Sequence, residues 1–152
     1  MDIQITPHFK LSEFLYSDTV DSMKRTSPIL YAAQHSIDFS ILFNIYCLCS
    51  EILEPCREHL GYPIHINSGY RCEALNKRVG GSRTSQHIKG EAADVTCFDN
   101  SALLNCILHL NLPFDQIIVY GRSGSRDTRM PRFIHVSHCL KGSNRKMVLY
   151  RP

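Results

Sequence analysis

Three side chains that can bind a metal, His87, Asp94 and His135, constrain the fold of this chain more than any other feature. Asp94 lies in an apolar, strand-like run, where an unpaired carboxylate would be costly to bury. His135 alternates with apolar neighbours and therefore points to the opposite face of its strand from them. We expect Asp94 and His135 to lie on neighbouring strands and to face the same side of a sheet.

This residue set predicts a zinc site. Two histidine nitrogens and one carboxylate oxygen are the ligands of a catalytic zinc that keeps its fourth position open, whereas a structural site takes four ligands and usually several thiolates. His87 lies in a polar loop flanked by glycine rather than in an apolar run. A ligand role therefore fits it better than that of a buried core histidine.

The size and charge of the chain narrow the class of protein. Its 152 residues, with 43% hydrophobic and 20% charged residues, fit one soluble globular domain spanning 1–152. A net charge of +3 without a basic run does not indicate nucleic-acid binding. The N-terminus does not read as a signal peptide, and Asn44 interrupts the longest apolar stretch. We therefore expect a chain that is made in the cytoplasm and does not bind a membrane. We also expect a monomer.

Seven cysteines are many for a chain of this length, but their number is odd and they lie mostly in apolar segments. Both observations favour buried, reduced thiols over disulfides. Cys47 and Cys49 resemble a fragment of a metal motif, but on a helix their side chains diverge, so core packing is the better interpretation.

The apolar pattern predicts an α+β fold, with a small, mainly antiparallel sheet packed against helices. Residues 1–28 are expected to wrap irregularly around the body, outside the core, with one short helical piece at Leu11–Leu15. A long helix is expected to begin at the N-cap Ser36 and to kink or stop at Pro55. Residues 121–131 are expected to form a mobile loop beside the zinc site. The other predicted elements are strands at 64–68, 92–97, 116–120 and 133–137 and helices at 72–79 and 102–110.

Two further polar residues lie near these strands in the sequence. Arg71 follows the strand at 64–68 and a turn, where its guanidinium could hold a carboxylate or a developing oxyanion. A surface or helix-capping arginine is an equally good interpretation of the same position. His138 falls off the ligand face if the strand continues, so we assign it to the support of the site or to the surface.

Several motifs together resemble a known family, the zinc D-alanyl-D-alanine carboxypeptidases and phage endolysins, whose fold is shared with the Hedgehog signalling domain. The resemblance is strong over residues 60–140, and before them only the long helix looks similar. The motifs that carry it are Ser68-Gly69-Tyr70-Arg71, Leu75-Asn76, Val79-Gly80-Gly81, Ser85-Gln86-His87 through Asp94, Phe114-Asp115-Gln116 and Phe133-Ile134-His135-Val136-Ser137.

The resemblance implies a peptidase that acts on peptidoglycan stem peptides. His87, Asp94 and His135 would hold Zn²⁺, Arg71 would pair with the substrate or the tetrahedral intermediate, and Ser85 would support the substrate site. A nearby carboxylate normally shuttles the proton to the leaving amine.

The chain departs from the family pattern at that carboxylate. Relatives carry an acidic residue shortly before the last histidine, but residues 130–134 here contain none, and where some relatives have glutamate this chain has Tyr120. Asp127 and Asp115 are the candidate bases. Asp115 is also a candidate for a structural role, in which it orients a ligand histidine.

Three functions are compatible with these observations. The leading one is a zinc peptidase, either a D,D-carboxypeptidase or an endolysin-type endopeptidase, that acts on the cell wall after its release from the cytoplasm. The second is a non-catalytic zinc-binding module of the same fold, which the missing acid before His135 favours. The third is a structural protein with reduced cysteines, in which the histidines are incidental.

Overall fold

The computed structural model describes residues 2–121 and 131–152. Within them, sixteen elements follow one another along the chain. Two of them are a π-helical turn, Cys49–Leu53, and a 3₁₀ turn, Gln86–Lys89. The remaining elements are β1 (Gln4–Thr6), β2 (Phe9–Lys10), α1 (Leu11–Leu15), α2 (Asp18–Ser22), α3 (Pro28–His35), α4 (Phe39–Leu48), α5 (Glu54–Leu60), β3 (Ile64–Ser68), α6 (Glu73–Arg78), β4 (Ala92–Cys97), α7 (Asn100–His109), β5 (Gln116–Tyr120), β6 (Phe133–Ser137) and β7 (Met147–Arg151).

A five-stranded sheet in the order β3-β4-β6-β5-β7 organises the fold, and β1 and β2 form a separate small ribbon. All pairs in the larger sheet are antiparallel except β5 with β7. The predicted α+β class with a mainly antiparallel sheet packed on helices is confirmed. The edge strand β7 was not predicted.

The two faces of this sheet have opposite character. On one face, apolar side chains of β4, β5 and β6 are completely buried and join the helices in a single core: Ala93, Val95, Ile117, Val119, Ile134 and Val136. On the other face, Asp94 lies directly opposite His135 in the β4–β6 register, and Ile118 of β5 lies opposite His135 from the other side. The expected placement of the two polar residues on neighbouring strands is confirmed.

The expectation that residues 1–28 lie outside the core is wrong. This segment forms two short strands and two short helices, and Phe9, Phe14 and Val20 are at most 1% exposed in the core. The short helix predicted at Leu11–Leu15 is confirmed. The strands of two or three residues and the helix α2 are too short to show periodicity and were not predicted.

The long helix also differs from its predicted ends. Asp38, not Ser36, is the N-cap, because its carboxylate accepts a hydrogen bond from the backbone N–H of Ile41. Pro55 does not stop the helix, which continues to Leu60. The π-helical turn shifts the hydrogen-bond register just before the proline, with Glu54 N–H donating to Cys49 O, and a wider turn accommodates a proline ring that would clash in a regular helix.

The continuous helical stretch Phe39–Leu60 is long and apolar enough to cross a membrane by length and composition, with a mean hydropathy of 1.3. Yet Ile45, Leu48 and Ile52 on it are completely buried in the core of the domain. A core helix passes the same test, so one such stretch is weak evidence for a membrane span.

Candidate metal centre

Three donor atoms converge on the polar face of the sheet. His87 is carried by the 3₁₀ turn, while Asp94 and His135 project from β4 and β6. His87 Nε2 lies 3.2 Å from His135 Nδ1 and 3.4 Å from Asp94 Oδ1, and His135 Nδ1 lies 2.9 Å from the same oxygen. Within the described residues, this is the one group of histidine, cysteine and acidic side chains close enough to hold a metal ion.

The separations between these donors suit a tetrahedral metal. Ligand distances of about 2.0–2.1 Å imply donor-to-donor edges of about 3.3 Å in a tetrahedron. The three observed edges, 2.9, 3.2 and 3.4 Å, lie close to that value. Two imidazoles and one carboxylate also match the donor set of a site with one open position. The residues present therefore fit a zinc ion.

Hydrogen bonds orient His87 for this role. Its Nδ1 lies 2.7 Å from the carbonyl oxygen of Gly69. A carbonyl only accepts hydrogen bonds, so Nδ1 carries the proton and Nε2 keeps its lone pair for a metal. The backbone N–H of Arg71 donates to His87 O at 3.1 Å, and Ser85 Oγ accepts from the His87 N–H at 3.3 Å. These contacts lock the turn that carries His87 to the chain that follows β3.

Gly69 is required by close packing. A Cβ at this position would lie 2.7 Å from both Cα and O of Phe14, closer than side chains come to backbone atoms. The carbonyl that orients His87 is therefore held against α1, whose Phe14 is completely buried.

The two oxygens of the Asp94 carboxylate have different partners. Oδ1 faces the histidines, whereas Oδ2 accepts from Arg71 Nη2 at 2.8 Å. Burial alone would raise the pKa of Asp94, but its contacts with the imidazoles of His135 and His87 outweigh burial and bring the pKa well below its usual range. Arg71 Nε also donates to Ser68 Oγ at 2.9 Å. The surface interpretation of Arg71 is therefore wrong, since its side chain is 17% exposed and pairs with a candidate ligand.

The other predicted site residues lie in different surroundings. Ser85 is the N-cap of the 3₁₀ turn and touches His87 through the backbone N–H. Asp115 has a side chain that is 5% exposed and forms a two-point ion pair with Arg145. Hydrogen bonds from Arg145 lower the pKa of Asp115 to about 2. Asp127, and most of the predicted loop at 121–131, lie outside the described residues.

Sequence reasoning missed three contributors to the support of the site. The contact of the Gly69 carbonyl could not be predicted, because a backbone carbonyl is present at every position and does not depend on residue type. The glycine itself belongs to one of the motifs that carry the family resemblance. Gln86 lies next to His87, and its Nε2 donates to Asp115 Oδ2 at 3.1 Å. Arg145 lies 30 residues from its partner Asp115, and no sequence pattern links the two.

The fold and the donor cluster define this protein as an α+β domain with a two-histidine, one-aspartate candidate metal site. A family model described as Peptidase M15 matches residues 7–137, which is well over half of the chain. The chain belongs to the peptidase M15 family, and the predicted resemblance is confirmed. The match begins at residue 7, so it includes much of the N-terminal segment in which little similarity was predicted. A search of curated proteins finds no match.

Proposed function

We propose that this protein is a zinc-dependent peptidase that hydrolyses an amide bond in the stem peptide of peptidoglycan. The observation that carries the proposal is the set of three donors at tetrahedral separations, with the tautomer of His87 set by the Gly69 carbonyl. Membership of a peptidase family supports hydrolysis as the reaction. A D,D-carboxypeptidase and an endolysin-type endopeptidase both satisfy these observations.

The side chains of this protein would divide the work. When bound, a zinc ion at His87, Asp94 and His135 supplies the Lewis acidity that polarises a carbonyl and makes water nucleophilic near neutral pH. Arg71 holds Asp94 in orientation through one N–H and Ser68 through another. A guanidinium has five N–H donors, so three others are available for a substrate carboxylate or a developing oxyanion.

A cavity beside Arg71 supports this role. It has a volume of about 200 Å³ and is lined by Tyr16, Ser17, Asn67 and Arg71, among others. A carboxylate entering it would meet the Arg71 guanidinium, with Asp18 also on the cavity wall. Ser85 would act on substrate binding indirectly, by holding the turn that carries His87.

A catalytic peptidase needs a group that shuttles a proton, whereas a zinc-binding module without catalysis does not. Asp115 fits the role poorly, because a carboxylate with a pKa of about 2 that is paired with a guanidinium is a weak base. Asp127 remains the candidate general base. The second candidate function, a zinc-binding module without catalysis, is favoured by the absence of an acidic residue at 130–134.

The proposal also covers where the protein acts, its oligomeric state and its partners. The protein would act on the cell wall after leaving the cytoplasm, as a monomer, without binding nucleic acid or a membrane. A net charge of +3 gives a weak attraction to an anionic polymer and little affinity for nucleic acid.

The test measures zinc content together with the release of free amines from purified peptidoglycan. We expect about one zinc per chain and amine release for the native protein, and loss of both for His87→Ala. His65→Ala is the matched control, because that histidine is exposed on β3 and should change neither. Bound zinc without amine release would establish the zinc-binding module instead. Absence of zinc from the native protein would contradict both functions and leave the structural protein with incidental histidines.

A further inference from the structure

Residues that follow the family match contact a side chain that supports the candidate metal site. The match ends at residue 137, yet the following segment, 138–152, adds β7 to the sheet. Arg145, which lies just before β7 in this segment, binds Asp115 through three groups. Its Nε lies 2.9 Å from Oδ1, its Nη2 lies 2.7 Å from Oδ2, and its backbone N–H donates to Oδ1 at 3.0 Å.

Asp115 in turn forms hydrogen bonds with both elements that carry the candidate histidine ligands. Its Oδ2 accepts from Gln86 Nε2, and Gln86 directly precedes His87 in the 3₁₀ turn. Its backbone N–H donates at 2.7 Å to the carbonyl of Ser137, two residues beyond His135 on β6. Asp115 is thus the junction between the C-terminal segment and the two elements that present the imidazoles.

We propose that Arg145 is a positioning residue for the metal site, which it holds in place through Asp115 and Gln86. The inference rests on the proposed metal-binding role of His87. The Asp115 carboxylate is nearly buried, and a buried charge needs a partner to remain in place. Arg145 supplies that partner and fixes both carboxylate oxygens, so the side chain of Gln86 meets an acceptor of defined position. Partners that hydrogen-bond a ligand directly typically change metal affinity by about 10- to 100-fold, and Arg145, which acts through two intervening residues, should lie at the lower end of that range.

A neighbouring residue offers a matched control. Lys146 anchors the same segment, but its Nζ donates at 3.2 Å to the carbonyl oxygen of Asn111 in the loop after α7. The two adjacent residues therefore tie the C-terminal segment to different places. A general loosening of the segment would follow from the loss of either anchor, whereas an effect on the metal site would follow only from the loss of Arg145.

The experiment measures zinc affinity by competition with a chromophoric chelator, and the free energy of unfolding by urea in the absence of metal. We expect Arg145→Ala to weaken zinc binding about tenfold and Arg145→Lys to weaken it less, because lysine keeps the charge but not the two-point contact. Lys146→Ala should leave zinc affinity within about twofold even if it lowers the free energy of unfolding.

A double-mutant cycle tests the route through Gln86. In a Gln86→Ala background, Arg145→Ala should have little further effect on zinc affinity, because the link is already broken. Equal losses for Arg145→Ala and Lys146→Ala, or a full loss in the Gln86→Ala background, would overturn the inference. If Arg145→Ala does not fold, unchanged zinc affinity of Arg145→Lys would overturn it equally. A native protein that binds no zinc would instead refute the proposed function.

Discussion

Replacing Gly90 with alanine should destabilise this protein more than the same change at another left-handed glycine. Gly90 ends the 3₁₀ turn that carries His87, with φ of 71°. A Cβ there would lie 2.9 Å from the carbonyl oxygen of Ile41 and 3.1 Å from a side-chain carbon of Ile45. The left-handed backbone costs about 1–2 kcal/mol for a residue with a Cβ. Crowding against a packed helix adds about 1–3 kcal/mol.

Gly80→Ala isolates the second contribution. Gly80 has nearly the same φ, 74°, but a Cβ at this position would meet nothing within 4 Å. Both substitutions restrict the unfolded chain equally, so that effect cancels in the comparison. Gly90→Ala should therefore be less stable than Gly80→Ala by about 1–3 kcal/mol.

The assay is urea denaturation followed by circular dichroism, with a chelator present so that metal binding does not contribute. Free energies of unfolding that agree within about 0.5 kcal/mol for the two variants would refute the reasoning, because such agreement would mean that the turn moves away from α4 without cost. Zinc affinity should fall in Gly90→Ala and stay unchanged in Gly80→Ala.

Three further predictions concern pH, capping and metal removal. Because the folded pKa of Asp115 is about 2, its pair with Arg145 should stabilise the protein above pH 4 and lose this effect as the pH falls from about 4 to 2. Because solvent screens the half-exposed guanidinium, we expect this pair to contribute about 1–2 kcal/mol to the free energy of unfolding. In urea titrations, Asp115→Asn should remove this contribution at pH 5 and should have much less effect at pH 2, where the native protein has already lost most of it. Ser85→Ala should cost about 1 kcal/mol in the same assay at pH 7, through loss of the cap on the His87 N–H; an unchanged value would contradict the capping role. Zinc at 100 times its dissociation constant should add about 2.7 kcal/mol to the free energy of unfolding, and His87→Ala should abolish the gain; a gain that survives this substitution would place the ion elsewhere.

The central strands could be predicted because burial leaves a regular pattern. β3, β4, β5 and β6 occupy the predicted ranges, since β-branched and alternating residues there reflect one face packed in the core. The strand β7 has exposed ends and only partly buried middle residues, so its pattern is weak. It is held by its pairing with β5 and by the contacts of Arg145, which link residues distant in sequence.

The candidate metal ligands could be predicted for a different reason. Each of the three is a polar residue in a context that constrains it: a glycine-flanked loop for His87 and apolar strands for Asp94 and His135. Their use of Nε2 in His87 and Nδ1 in His135 could not be predicted, because it depends on the position of the Gly69 carbonyl and on the register of β4 with β6.

The N-terminal half of the chain contributes no candidate ligand, but it determines how closely the ligand turn is held. Phe14 lies against Gly69, whose carbonyl orients His87, and Ile41 lies against Gly90, which closes the same turn. Asn44 adds a hydrogen bond of 2.9 Å to the carbonyl of Lys89 within that turn. At both glycines the shortest distance from an added Cβ is to a backbone atom, which cannot move aside as a flexible side chain can. A change in the packing of α1 or α4 should therefore displace the His87 imidazole, although neither helix carries a candidate ligand.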